Sequence, residues 1–477
     1  MKNKINIVLP IETICRELDY KLVLAALLAN NENTTIMIGH YDIIDKIIAK
    51  TYNGLYIGKS IFKQLFLGFN DTANTKHYHQ LKKQEYDLVY LDEEGGVYAG
   101  DANNWKKLLN MRIKAEVLDE NDLITSWGEF QKIHYQQCTK NSQKPPVILN
   151  TGHPRFDMAK PKFNSIYNDT AKQLEHTYGD YVLINTNLTL ANNIMGIKDT
   201  FSARFGYVPE ADTRIKYIEQ WAYTTKILAG FVELIQKLAN EFPQINFIVR
   251  AHPSENPDFY KAAFNQIENI IINSEGSVIP WMMAAKTMIH DGCTTALEAY
   301  FANTAVINYK SISNKQHDLV LPNKIGTQCT TVKQVIRTLK QILQDKSAYL
   351  HINQLDDEDY SLLANLKCDA VDDFVELMHD EINKRIEKTT KPPKFMLIAV
   401  HEFMHTAKTK AKDFLRKSLF HHKHQMSLKY SRKFAGFCKT DLQKKAKSIE
   451  KIIAYKINIK YISNRLIVIS KKQVDSQ

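Results

Sequence analysis

Apolar positions in the first half of the chain fall into short runs separated by stretches with helical spacing. Ile5 to Pro10 is a mostly apolar run that reads as a strand, and between Arg16 and Asn30 the residues Leu18, Leu22, Ala25 and Ala29 recur near the period of a helix. Thr34 to Gly39 reads as a second strand, followed by a helix over Tyr41 to Thr51 with Ile43, Ile44, Ile47 and Ile48 on one face. Two further strands, Asp87 to Leu91 and Val147 to Leu149, run into polar loops, Asp92-Glu93-Glu94-Gly95-Gly96 and Asn150 to Asp157. After Lys160 to Ser165 the alternation restarts. Strands are expected at Tyr181 to Asn185, Ile245 to Arg250, Thr287 to His290 and Thr304 to Tyr309, with helices around Arg214 to Glu241 and Thr295 to Ala302. Strand and helix in alternation build a parallel sheet covered by helices. The pattern therefore predicts an α/β protein with two Rossmann-like units facing a cleft, 1–160 and 161–345, then a helical segment 346–390. Pro392-Pro393 punctuates the chain before a basic helical tail, 391–477.

A length of 477 residues suits two to three domains, and 44% hydrophobic against 24% charged residues supplies packed cores without the bias of a disordered chain. Six cysteines stand far apart with no C-x-x-C pair, which argues against a disulfide framework or a cysteine zinc site and fits a reducing cytoplasm. The apolar run at Ile5 stops at Pro10 and Glu12, too short for a secretory signal, and no stretch approaches the ~18 apolar residues that cross a bilayer. The charge is uneven. Asn383 to Gln477 carries 24 Lys and Arg against 6 Asp and Glu, a net +18 in a chain of net +11, so the remainder carries −7. Such a tail calls for an anionic partner. Phe414, Leu415, Leu419 and Phe420 interleave with Lys412, Arg416 and Lys417, as in a helix lying on anionic lipid. No nucleic-acid-binding module accompanies the charge, so the expected partner is the inner face of the cytoplasmic membrane rather than nucleic acid.

Ligands of open α/β sheets bind at the carboxyl ends of the strands, where the polar clusters lie. Arg250-Ala251-His252-Pro253-Ser254 puts a cation and an imidazole at a strand end, although His252 also fits an ordinary strand-end residue. His290-Asp291-Gly292-Cys293-Thr294-Thr295 joins a strand to a helix start, where free N–H groups favour an anion and Gly292 admits a phosphate closely; Thr295-x-x-Glu298 equally spells a capping box. Asp92, Glu93 and Glu94 crowd three carboxylates, which should raise one another's pKa and suit a proton-shuttling acid. Asp92 and Glu94 share one face of an extended strand, and Asp157 beside Arg155 is a second carboxylate for the facing side. A solvated acidic turn is the alternative. Glu12, Arg16 and Glu17 open a helix toward the same cleft as acceptor contacts or as ordinary N-terminal helix charges.

The segments IVLPIETICRELDYKL, YLDEEGG, NTGHPRFD, LINTNLTLANN, VRAHPSE and IHDGCTTALEA, in this order from Ile7 to Tyr309, resemble the bacterial surface carbohydrate biosynthesis family. The resemblance implies a GT-B glycosyltransferase-like architecture. Its HP loop and downstream helix start are similar to those with which capsule Kdo transferases, sialyltransferases and CDP-glycerol polymerases hold a cytidine nucleotide. By that similarity His252 contacts phosphate, Thr294 and Thr295 cradle it, and Glu298 holds the ribose hydroxyls. His153 departs from the Asn expected there. The implied activity is transfer of a sugar from a nucleotide donor, a CMP-sugar such as CMP-Kdo, to a surface polysaccharide or lipid-linked glycan, with no cofactor or metal. A CDP-alcohol polyol-phosphate transferase is the nearest alternative.

One motif points elsewhere. His401-Glu402-x-x-His405 would place two zinc ligands and a general base on one helix face. Lys408 and Ala411 stand where the metzincin pattern requires Gly and His, and the Lys-rich tail offers a protease little scaffold, so incidental histidines on a helix are the better account. A zinc peptidase and a non-catalytic membrane adaptor remain the alternatives of a different class.

Overall fold

The computed structural model of the protein describes residues 4–59, 71–94, 98–350, 355–419 and 433–472. Fourteen strands among them form two sheets. The first contains β1 (Ile5–Ile11), β2 (Thr34–His40), β3 (Gly54–Ile57), β4 (Tyr86–Leu91), β5 (Leu123–Ser126) and β6 (Val147–Asn150); the second contains β7 (Tyr181–Asn185), β8 (Asn246–Arg250), β9 (Ile270–Ile272), β10 (Thr287–His290), β11 (Val306–Tyr309) and β12 (Thr327–Cys329). The strands within each of these sets run parallel, in the orders 2-1-3-4-5-6 and 12-11-10-7-8-9. This is the expected pair of Rossmann-like units.

The central strands are buried on both faces, which is why β1 reads as an almost unbroken apolar run. Helix Tyr41–Ile48 turns Ile43, Ile44, Ile47 and Ile48 inward against Val8 and Met37, so its four isoleucines form the stripe that the spacing predicts. Helix Ile14–Leu28 covers the other face through Leu18, Leu22, Ala25 and Ala26. In the second unit the long helix Ala211–Glu241 packs Phe231, Leu234, Ile235 and Leu238 against β7 and β8.

Past the second unit the chain returns to the first. Helix Ala370–Asn383 buries Val371, Phe374, Met378 and Ile382 in the core beneath helix Ile14–Leu28. Asn6, inside β1, donates to the carbonyls of Tyr52, Asn53 and Lys391 at 3.2, 3.3 and 3.1 Å and fastens the segment that follows.

The tail contains the expected helices, Phe395–Leu419 and Lys439–Ile453, but it is not detached from the body. β13 (Ile457–Ser463) and β14 (Leu466–Lys471) form a hairpin, and β14 pairs antiparallel with β2, completing the first sheet at eight strands in the order 13-14-2-1-3-4-5-6. Residues 391–477 thus contribute part of the first domain. The side chains of Phe414, Leu415, Arg416, Lys417 and Leu419, together with Phe420, Gly95 and Gly96, lie outside what the structure describes.

Candidate active site

The acidic cluster begins one residue beyond β4. Asp92 accepts from Tyr90 Oη at 3.1 Å and from the Glu94 N–H at 3.0 Å, closing a turn that sends neighbouring carboxylates to opposite sides. Glu93 turns inward and accepts from Tyr20 Oη at 2.7 Å and Lys21 Nζ at 2.8 Å. Glu94, more exposed, lies between Arg16 Nη1 at 2.9 Å, Arg112 Nη1 at 3.3 Å and Lys59 Nζ at 3.5 Å. Arg112 also stands 3.5 Å from Asp92, so Asp92 and Glu94 share a cation, although they lie in a turn and not along the extended strand that the sequence suggested.

The electrostatics differ from the expectation. Burial works to raise the Glu94 pKa, but Lys59, Arg16 and Arg112 hold it well below the usual carboxylate range. Glu93 is lowered too, by Lys21 and Lys59 against its own burial. Glu93 and Glu94 are therefore ionised, because the fold delivers Arg16 and Lys21 from one helix, and Lys59 and Arg112 from two other segments, into their midst. Glu94 does not store a proton; it is a fixed negative charge able to accept a hydrogen bond from a hydroxyl.

The three acceptor candidates divide. Arg16 and Glu12 belong to this cluster, Glu12 lying 3.4 Å from Lys59 and 2.6 Å from Lys433. Glu17 joins it only from within the core: it is buried, accepts from the N–H groups of Thr13 and Glu12 at 2.8 and 3.2 Å, and shares with Glu93 the ammonium of Lys21, 2.9 Å away. It satisfies the first turn of its own helix.

Asp157 is also corrected. One oxygen accepts from Asn365 Nδ2 at 2.7 Å and lies 2.9 Å from Lys160 Nζ, and the other accepts from the Val371 N–H at 2.8 Å. Fully buried, with three donors on its two oxygens, it fastens helix Ala370–Asn383 to the first domain and is closed off from a ligand in the cleft. His153 sits beside it, fully buried among Tyr20, Trp127 and Phe156. Burial holds the His153 imidazole down to about 3, so it is neutral, with Nδ1 accepting from the Arg155 N–H at 3.1 Å.

Arg155 reaches across the cleft instead of pairing with Asp157. Its Nη1 donates to the Glu93 carbonyl at 3.0 Å, and its Nε donates to Glu298 Oε1 of the second unit at 3.1 Å. Glu298 is thus turned to the facing domain, and the capping-box reading fails.

On the second unit, His252 Nδ1 accepts from the Ser254 N–H at 3.2 Å, and Thr189 Oγ1 lies 3.3 Å away. An imidazole that accepts at Nδ1 carries its proton on Nε2, the arrangement for donating to a phosphate. Gly292 has φ +64, and a Cβ there would meet the Asn323 amide at 3.0 Å, so only glycine makes this turn without strain. Thr294 precedes helix Thr295–Phe301, and the Thr295 hydroxyl lies beside the Cys293 thiol with no oxygen or nitrogen partner. Arg250, the cation expected at the same strand end, is taken up by backbone carbonyls instead. It donates to the carbonyls of Glu275 and Gly276 at 2.9 and 3.0 Å and lies over Trp281, which makes it the clamp of that loop.

Sequence reasoning missed Lys59, Arg112 and Lys433, and gave Arg155 the wrong partner. It also passed over Asp291, whose pKa burial pushes up to about 6 against the pull of Lys310 at 2.6 Å. The metal candidates are occupied by cations. His405 Nδ1 lies 3.1 Å from Arg465 Nη1, and buried Glu402 is 3.5 Å from Arg465 Nε, so the H-E-x-x-H segment docks a tail arginine. Asp87, Asp119 and Asp122 bring their oxygens within 4.8 Å of one another, but Lys82 Nζ sits among them at 2.6, 3.0 and 3.0 Å.

No family model matches the sequence, and no curated relative matches it. Among solved structures, the wall teichoic acid polymerase TagF in its H548A form superposes with a TM-score of 0.49 at 10% identity, covering 80% of this chain and 90% of that one. The UDP-GlcNAc 2-epimerase of Neisseria meningitidis gives 0.46 at 13% identity over 79% of this chain and 100% of its own, and that of Methanocaldococcus jannaschii 0.44 at 13% over 79% and 99%.

Proposed function

We propose that the protein is a transferase that moves a sugar from a nucleotide donor to a surface glycan or lipid-linked acceptor. The observation that carries this reading is the Arg155 bridge. It ties Glu298, in the helix that follows the Gly292 turn, to the backbone of Glu93, next to Glu94. A phosphate against that turn, held by His252 and Thr295, would leave the donor's reacting carbon toward the Glu94 side of the cleft. Glu94 orients the acceptor hydroxyl, Arg16 and Lys59 offset charge on donor or acceptor, and Asp92 positions Glu94 through the turn. Glu12 shares Lys59 and completes the acceptor side.

A cytidine-activated donor, CMP-Kdo among sugars, is the first to test, with a CDP-alcohol as the second arm. Titration calorimetry with CMP, CDP and UDP, with and without a zinc chelator, decides the class. Tighter binding of a cytidine nucleotide, weakened at least tenfold by alanine at His252, Thr295 or Glu298 and indifferent to chelation, is the expected result. No affinity for any nucleotide refutes the reading.

A further inference from the structure

Helix Phe395–Leu419 is turned the wrong way round for a helix packed on a water-soluble body. Its inward face, on the hairpin β13–β14, carries Glu402 and His405 to Arg465, with Phe395 and Ile398 as its apolar contacts. Its outward face over the first three turns is apolar: Met396 is 84% exposed, Leu397 64%, Val400 54%, Phe403 77% and Met404 50%. Val400 stands three or four residues from each of the other four, so the five side chains form one stripe along the helix, continued by exposed Ala407. Contiguous apolar surface of this kind marks a docking site, whereas scattered single residues do not.

The charges around the stripe identify what docks. Lys391 and Lys394 lie exposed just before it, and Lys408 and Lys412 lie exposed just beyond its last turn. No acidic side chain of 391–412 is exposed, since Glu402 is buried against Arg465. The surrounding segment Asn383 to Gln477 carries +18. Met, Leu, Val and Phe between clusters of lysine match the interface of an anionic bilayer, with the apolar row among the acyl chains and the ammonium groups at the headgroups. Among the described residues no helix is long and apolar enough to cross a membrane, so this helix would lie in the interface plane.

We propose that the outward face of this helix, through Met396, Leu397, Val400, Phe403 and Met404, is the surface by which the protein docks on anionic lipid. The Arg465 contacts seat the inward face of the helix on the hairpin, so docking would present the same side of the first domain to the membrane. The inference is independent of what the cleft binds.

The test uses the full chain and vesicles of phosphatidylglycerol and phosphatidylcholine. Flotation with phosphatidylglycerol vesicles should be strong at low salt, should fall with salt, and should be absent with phosphatidylcholine alone. Met396→Glu with Phe403→Glu should weaken it at least tenfold without changing the melting temperature, because both side chains already face solvent. Phe403→Trp, read as the difference from the parent chain with its four tryptophans, supplies a reporter whose emission should shift to the blue on vesicle addition and be quenched by brominated acyl chains. An emission spectrum of the Phe403→Trp variant that vesicles leave unaltered overturns the proposal. So does a dimer that the double glutamate variant converts to monomer, or retention on RNA in place of vesicles.

Discussion

Asp157→Ala separates a buried fastening from a carboxylate that takes part in chemistry. The alanine leaves the Val371 N–H and one Nδ2 hydrogen of Asn365 without an acceptor inside the protein, the other still reaching the His153 carbonyl at 3.0 Å; each unsatisfied donor costs about 1–3 kcal/mol, while Lys160 can turn to Asp369 at 2.8 Å. The sum is about 4 kcal/mol. At about 2–4 °C per kcal/mol for a large domain, Tm should fall by roughly 10 °C. Asp157→Asn keeps one acceptor oxygen and should lose about half as much. Thermal melts give the stability, and hydrogen exchange should show faster opening of helix Ala370–Asn383 in both variants. Turnover per folded molecule at low temperature should stay near wild type. If Asp157→Asn melts within about 1 °C of wild type and has lost turnover, the residue is chemical and the fastening argument is wrong.

Glu94→Gln should fold and bind nucleotide normally but lose turnover by about 10²-fold or more, since the charge that orients the acceptor is gone; retained activity removes Glu94 from the site. Arg155→Ala leaves the Glu298 carboxylate buried without its partner and should cost about 3–5 kcal/mol, whereas the double change with Glu298→Gln should recover part of it in a double-mutant cycle on stability. His153 and His290, fully buried, are held down to about 3 and about 4 by burial, so the unfolded chain takes up their protons first. Their contribution is complete above pH ~6.5 and is lost as pH falls toward 4, by about 1.4 kcal/mol per pH unit for each; equal urea midpoints at pH 7 and pH 5 would contradict this. Deleting residues from Ile457 onward should make the chain insoluble or molten, because β2 loses its neighbour; a cooperative melt in the shortened chain would show that the hairpin is dispensable.

The strands that the sequence reveals are those buried on both faces, such as β1, β4 and β8, whose apolar runs need no partner to be recognised. β3 escaped notice because Gly54-Leu55-Tyr56-Ile57 is too short to show a period, yet it sits between β1 and β4, with Gly54 packed against the Asn6 carbonyl. The hairpin was hidden by its lysines. Ile457, Ile459 and Tyr461 alternate with Asn458 and Lys460, a strand period that the net charge of the tail obscured. In the cleft, Glu94, His252 and Glu298 were legible because they lie at strand ends and helix starts. Lys59, Arg112 and Lys433 were not, since side chains converging from separate segments leave no local spacing. Asp157 and Arg250 show the opposite error. Their chemistry was read correctly as charge, but only the folded chain reveals that Asn365, Val371 and two loop carbonyls already use it.

The pairing of β14 with β2 also sets the order in which the molecule can be finished. A ribosome releases β1 to β6 early, and these strands with their helices can collapse at once, but the outer edge of β2 then waits for residues separated from it by almost the whole sequence. During that wait it is an open strand edge, the kind of surface that recruits other chains. The first domain is therefore begun first and completed last. Its long-range pairing makes a late, slow step in folding, with the second domain assembled in between. Any strand-mimicking segment that reached β2 before the hairpin did would trap the protein with both units formed and helix Phe395–Leu419 unanchored.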